Sequence, residues 1–321
     1  MQARTVTVVG LGRTGTSLAL AVQALPLELT VVGHDRSREA LRRARQIGAV
    51  DETETTLAAA AAGADMLLLA VPAHEIKEVL QVVGEEIQAH ALVLALSPLK
   101  AQSQRWAERH LRRGHFVGIA PVFRAGALDS PSTTEPGTDL FADSVWCVMP
   151  AADTDPKAVE TAANLGRLLG AAPFFIDPAE YDNLALAVQV LPALSAAALF
   201  GAVRQASGWR DIRRFAGVHF ALATEPLQDA SELSLLTLAD QEATLYWLDL
   251  LLKELQALRN RIAEDDPERL AALLQTWSAE RRDWLQEQQE NDWRELAEPD
   301  YALTGLAQSL FGGLRSRKKD R

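Results

Sequence analysis

Cysteine is nearly absent. Cys147 stands alone among 321 residues, which excludes an intramolecular disulfide and any cysteine-rich metal site. It lies in the apolar run Val145-Trp146-Cys147-Val148-Met149, the setting of a buried, inert thiol rather than a nucleophile. Basic charge is in deficit: 32 Lys and Arg against 43 Asp and Glu leave a net charge of −11, which argues against a nucleic-acid surface. The one basic run, Arg315 to Arg321, reads as a solvated tail. None of the 6 histidines falls at a metal-ligand spacing with another histidine or an acid, so no metal is expected. Neither a signal peptide before the first strand nor an apolar run of membrane-spanning length is expected, so a cytoplasmic protein without a membrane partner is expected.

What is present suits a globular chain. Hydrophobic residues make up 48% and charged residues 23%, and the length is that of two domains. At the start, Thr5-Val6-Thr7-Val8-Val9 runs into Gly10-Leu11-Gly12-Arg13-Thr14-Gly15, followed by the helix-like Ser17 to Leu25. In a strand–turn–helix, the first glycine permits the turn, the second admits a pyrophosphate, and the third lets helix and strand pack closely. The helix N-terminus offers N–H groups and positive dipole to the phosphates. A second strand, Leu29 to Asp35, ends in a carboxylate placed to accept hydrogen bonds from a ribose diol. Cofactor contacts are therefore expected from Gly10, Leu11, Gly12, Arg13, Thr14, Gly15, Asp35 and Arg36. Asp35 favours NAD, and Arg36 beside it leaves NADP open.

The rest of the first half alternates. Helices are expected at Ser37 to Ile47 (ended by Gly48), Thr55 to Ala62, Glu75 to Ile87 and Gln102 to Leu111. A further helix, Pro156 to Leu169, is capped by Asp155. Strands are expected at Asp65 to Pro72, Ala91 to Leu96, Phe116 to Pro121, Ser144 to Met149 and Pro173 to Ile176, with a loop at Arg124 to Asp139. This predicts an α/β Rossmann-type doubly wound parallel sheet over 1–177. From Pro178 the strand signal stops. Glu180 to Arg204 is apolar on most sides; Leu245, Leu248, Leu252, Leu255, Leu258 and Ile262 recur at helical spacing, as do Leu270, Leu273, Trp277 and Trp284. An all-α domain over 178–290 follows, with an interleaved homodimer as an economical cover for its apolar stripes and a C-terminal extension over 291–321.

The order of segments resembles the prephenate/arogenate dehydrogenase family of tyrosine biosynthesis. The resemblance rests on Gly10 to Gly15, Gly33-His34-Asp35-Arg36-Ser37, Ala70-Val71-Pro72, Phe116-Val117-Gly118 and Gly137-Thr138-Asp139-Leu140-Phe141. Its most specific piece is Gly208-Trp209-Arg210-Asp211-Ile212-Arg213-Arg214-Phe215-Ala216, similar to the family's Gly-Phe-Arg-Asp-Thr-Thr-Arg-Ile-Ala. The resemblance implies NAD(P)-dependent oxidative decarboxylation of a cyclohexadienyl carboxylate. It places Val71 and Pro72 at the cofactor and Arg214, Ser97 and Lys100 at the substrate. A guanidinium at Arg214 can grip a carboxylate through two parallel hydrogen bonds, the alternative being an i,i+3 pair with Asp211.

The chain departs from the family at its histidines. The family's Gly-Gly-His-Pro reads Gly118-Ile119-Ala120-Pro121, and Ser-His-Leu-Pro-His reads Gln189-Val190-Leu191-Pro192-Ala193. Ala120 and Val190 thus hold histidine positions, and His74 and His219 are the remaining candidates for proton transfer. One positioned histidine typically gives about a hundred- to ten-thousand-fold. The alternatives are a catalytically impaired dinucleotide-binding homodimer with a regulatory role, or a reductase acting on an imine or keto acid.

Overall fold

The strands at Met66–Leu69 (β4) and Leu92–Ala95 (β5) carry no polar side chain, and every residue in both is buried. Such strands belong in the middle of a sheet covered on both faces. In the computed structural model, which describes residues 4–123, 135–227 and 229–290, they do. Around them lie β1 (Thr5–Val9), β2 (Thr30–His34), β3 (Glu52–Glu54), β6 (His115–Val122), β7 (Val145–Pro150) and β8 (Ala172–Phe175). The order across the sheet is β3-β2-β1-β4-β5-β6-β7-β8. The chain works outward from β1 to one edge and then returns to β4 on its other side, so β1 and β4 flank the point where the order reverses. Ligands of such sheets sit in the crevice at the carboxyl ends of those strands.

The connecting helices are α1 (Arg13–Gln23), α2 (Arg38–Gln46), α3 (Leu57–Ala62), α4 (Ile76–Glu86), α5 (Lys100–His110) and α6 (Pro156–Leu168). Side chains of each strand alternate between two cores, as a period of two requires. Val6, Val8, Met66, Leu68, Leu92 and Leu94 pack with the α1 and α6 side; Val9, Leu67, Leu69 and Val93 pack with the α4 side. Asp155 caps α6 through the Lys157 N–H with Pro156 in the first turn, and Gly48 follows α2 at φ +72°.

Two details correct the sequence reading. The sheet is not wholly parallel: β6 and β7 pair antiparallel, from Val117 opposite Pro150 to Val122 opposite Val145, while the other pairings are parallel. An apolar run does not encode its direction, and no helix is assigned among the described residues between β6 and β7. β3 was not expected, because Glu-Thr-Glu has no apolar pattern; it is a strand through its pairing with the β2 edge. Of the expected loop at 124–139, residues 124–134 lie outside the described residues, as does the C-terminal extension at 291–321.

Beyond the sheet the chain is helical: α7 (Pro178–Ala185), a π turn at Leu186–Val190, α8 (Leu191–Arg204), α9 (Trp209–Phe215), α10 (Val218–Thr224), α11 (Ala230–Ala239), α12 (Gln241–Ala263) and α13 (Pro267–Glu290). The described residues divide into two compact units, one of those up to Pro178 together with 279–290, the other of those from Ala179 to Ser278. A further expectation needs correcting here. The continuous helical stretch Pro178–Arg204, 27 residues, is long and apolar enough by length and composition to cross a membrane. The helix expected at Glu180 to Arg204 passes through Pro192 unbroken. Lacking an N–H, this proline would disrupt an α-helical ladder, and the π turn just before it absorbs the mismatch.

Candidate active site

The turn after β1 is closed by contact on both sides and open in the middle. Gly10 has φ +90°, its N–H donates to the His34 carbonyl at 2.9 Å, and a Cβ there would run into the Ala70 carbonyl. A Cβ on Gly15 would collide with the Gly10 carbonyl and stand 3.1 Å from Ala70 Cβ. Gly12 is different: nothing lies within 4 Å of where its Cβ would be. Gly10 and Gly15 are thus demanded by packing, whereas Gly12 borders open space that a phosphate can approach. Gly12 is also the N-cap of α1 and makes no side-chain cap, and no acid occupies the first turn, so a phosphate meets the positive helix end without competition from a carboxylate there. Arg13 and Thr14, in that turn, are half-buried, and Leu11 is buried. These residues suit a dinucleotide pyrophosphate.

Asp35 is tied to the same turn. One carboxylate oxygen accepts the Leu11 N–H at 2.7 Å and the other accepts the Ser37 N–H at 2.7 Å. Ser37 in turn caps α2 through the Ala40 N–H. Arg36 turns to acids that sequence reasoning missed: its guanidinium lies 3.0 Å from Glu75 and 3.4 Å from Glu78, at the start of α4. His74 is exposed, with Nε2 3.7 Å from the same Glu75 carboxylate. It therefore shares a partner with Arg36, beside the carboxylate expected to meet the ribose. The only hint in the sequence was an acid pair three residues apart after Val71-Pro72.

Ser97 and Lys100 sit differently from their expected role as substrate contacts. Both are 2% exposed. The Ser97 hydroxyl donates to the Val71 carbonyl at 2.7 Å. The Lys100 ammonium donates to the carbonyls of Ala95, Ser97 and Ile119 at 3.1, 2.7 and 2.6 Å. Together they tie the carboxyl ends of β4 and β5 to the middle of β6, bringing Ser97 to a predicted cofactor residue and Lys100 to the neighbour of Ala120. Leu99, just before α5, holds the left-handed conformation at φ 61°. The resemblance places both at the substrate; in the structure interior carbonyls take up their polar atoms.

Ala120, at a family histidine position, is buried in β6 and paired with Cys147 in β7. Burial pushes the Cys147 thiol up to about 11, against the opposing pull of the Lys100 charge, so it stays protonated near neutrality. Among the described residues no group of three His, Cys, Asp or Glu could hold a metal.

In the helical unit, Arg214 lies on α9 with its side chain 68% exposed and 3.8 Å from Asp211. At that length and exposure the i,i+3 pair leaves the guanidinium weakly engaged. His219, on α10, is exposed as well. Val190 and Ala193 are buried.

Residues 18–173 match the domain described as prephenate dehydrogenase, nucleotide-binding domain, and residues 177–276 match prephenate dehydrogenase, dimerization domain. The chain belongs to the prephenate dehydrogenase family. It is 25% identical over 288 residues to a prephenate dehydrogenase of Bacillus subtilis, covering 85% of this chain and 74% of that one. It is 24% identical over 269 residues to a cyclohexadienyl dehydrogenase of Zymomonas mobilis, covering 81% and 89%. Among solved structures, it resembles prephenate dehydrogenase from A. aeolicus in complex with hydroxyphenyl propionate and NAD+. The TM-score is 0.76 at 22% identity, over 88% of this chain and 98% of that one. It also resembles Synechocystis arogenate dehydrogenase, with a TM-score of 0.67 at 21% identity over 87% and 99%. The likeness of these structures is one of fold: a nucleotide-binding sheet domain followed by a helical domain.

Proposed function

We propose that this member of the prephenate dehydrogenase family is an NAD-dependent dehydrogenase that oxidatively decarboxylates a cyclohexadienyl carboxylate, prephenate or arogenate, in tyrosine biosynthesis, as a homodimer. The observation that carries the reading is the turn at Gly10 to Gly15, packed shut at its ends, open at Gly12 and bonded to Asp35 through Leu11. Gly10 to Gly15 hold the pyrophosphate, and Asp35 accepts hydrogen bonds from the ribose hydroxyls. Val71 and Pro72, after β4, meet the cofactor, and Ser97 holds the Val71 carbonyl from within the fold. NAD, when bound, supplies the hydride acceptor. The substrate ring gives up hydride, loses its carboxylate as carbon dioxide and becomes aromatic, which makes the reaction favourable. Arg214 grips a substrate carboxylate through a forked pair of hydrogen bonds.

The names of the relatives support the substrate class, and the dimerization-domain match supports the homodimer. Proton transfer is the weak link of the site, since Ala120 and Val190 carry no titratable group. Their burial favours a second reading, a dinucleotide-binding dimer without turnover. Calorimetric titration with NAD, then absorbance of the reduced nicotinamide with prephenate and with arogenate, separates the two. NAD binding with slow turnover of one substrate is expected. Arg214→Ala is expected to raise KM about a hundred-fold while the NAD Kd stays unchanged. Binding without turnover at high enzyme concentration would establish the second reading, and absence of NAD binding would defeat both.

A further inference from the structure

The segment at the end of β2, His34-Asp35-Arg36-Ser37, offers both signs of charge to the adenosine ribose. An acid there suits the diol of NAD, and an arginine nearby suits the 2′-phosphate of NADP. What decides between them lies on another element. Asp35 is locked, each oxygen accepting one backbone N–H at 2.7 Å and keeping a lone pair for a hydroxyl donor. Arg36 is engaged twice, by Glu75 at 3.0 Å and by Glu78 at 3.4 Å. Glu75 is the better buried of the two acids, its side chain 21% exposed against 73% for Glu78. Both arrive from the segment after β4, across the reversal point of the sheet from β2.

We infer that Glu75 and Glu78 enforce the choice of NAD over NADP, holding Arg36 on two carboxylates and charging the ribose edge against a 2′-phosphate. The inference rests on the dinucleotide reading above and adds the residues that set its selectivity. Asp35, Glu75 and Glu78 together outweigh the single guanidinium of Arg36. A 2′-phosphate would add negative charge beside these carboxylates and would have to compete with Glu75 and Glu78 for the Nη1 and Nη2 donors of Arg36. As an exposed ion pair the contact contributes little to stability. Its consequence is that Arg36, next to Asp35 in the chain, is already committed. His74, 3.7 Å from Glu75, lies on the same carboxylate.

The test is equilibrium binding of NAD, NADP, ADP and 2′,5′-ADP to the full chain, so that the readout does not depend on turnover. Wild type is expected to favour NAD over NADP and ADP over 2′,5′-ADP. Glu75→Gln with Glu78→Gln is expected to tighten NADP and 2′,5′-ADP about ten-fold, as a freed guanidinium meets the phosphate, with NAD nearly unchanged. Adding Arg36→Leu to that pair should abolish the gain. Glutamine is isosteric and both sites reach the surface, so retained NAD binding verifies each variant. An NADP-to-NAD ratio unchanged in the double variant, or a gain that survives without Arg36, overturns this inference and leaves the proposed function standing. Wild-type protein that binds none of the four ligands overturns both.

Discussion

Leu68 in β4 is fully buried, whereas Leu252 and Leu255 in α12 keep 54% and 52% of their surface exposed. The same contrast runs through the two units. The described residues up to 178 form a sheet whose central strands, β1, β4 and β5, are covered on both faces by the unit's own helices, with Val122 and Phe175 toward its edge left exposed. In 179–278 the buried side chains are confined to Leu186, Val190, Ala193, Ala196 and Thr244 among the described residues, while Val188, Phe215, Leu222, Leu238 and Ile262 stand exposed. The sheet unit satisfies its hydrophobic patterning within one chain; the helical unit carries the patterning without the cover. Apolar surface of that extent is what the proposed homodimer would cover, and residues 177–276 match a dimerization domain.

The largest expected effect comes from removing a side chain that one chain covers unaided. Leu68→Ala should cost the sheet unit about 3 kcal/mol in denaturant unfolding, independent of protein concentration. A dependence on concentration would break the contrast. Leu255→Asp should do the reverse. Sedimentation velocity should show dimerisation weakened about ten-fold or more, with monomer helicity by circular dichroism preserved. Equal loss of monomer stability would mean that α12 is core after all.

The smallest effect tests the sheet unit's closure. One oxygen of Asp65 accepts the N–H groups of Arg4 and Thr5 at 2.8 and 2.9 Å, and the other lies 2.8 Å from His90 Nε2. Burial pushes its carboxyl up, but the His90 hydrogen bond, those two N–H groups and the His90 charge outweigh this and hold it below the ordinary 3.8. A depressed carboxylate stabilises fully above its unfolded value and ceases to do so as pH falls through its folded one. Asp65→Asn should therefore cost about 1 kcal/mol at neutral pH. The gap from wild type should close below the ordinary value of 3.8. A gap constant with pH would show that packing, not charge, holds the start of β1.

Much of this was legible from residue order because the signals are local. Gly10, Gly12 and Gly15 announce a turn wherever a strand precedes and a helix follows, and uninterrupted runs such as Met66–Leu69 need no partner to be recognised as strands. The glycine roles could even be assigned, although only the structure separates Gly10 and Gly15, demanded by contact, from Gly12, which borders open space. β3 was illegible because Glu52-Thr53-Glu54 becomes a strand only by hydrogen bonding to β2. The backbone partners of Ser97 and Lys100 were illegible for a related reason. A polar residue at a strand end has the same letters whether its partner is a ligand or a carbonyl. The helical stretch at Glu180 to Arg204 was legible, but the π turn at Leu186–Val190 that carries it into Pro192 was not.

By itself, then, the order of residues determined the alternation of strands and helices, the glycine turn, the carboxylate at Asp35 and the change to helices after Pro178. Each depends on spacing along the chain and on the backbone freedom of single residues. Tertiary structure alone decided the antiparallel entry of β7, the burial of Ser97 and Lys100, the capture of Arg36 by Glu75 and Glu78, and the exposure of Leu252 and Leu255. Those outcomes depend on which groups distant in the chain arrive within a few ångströms of each other.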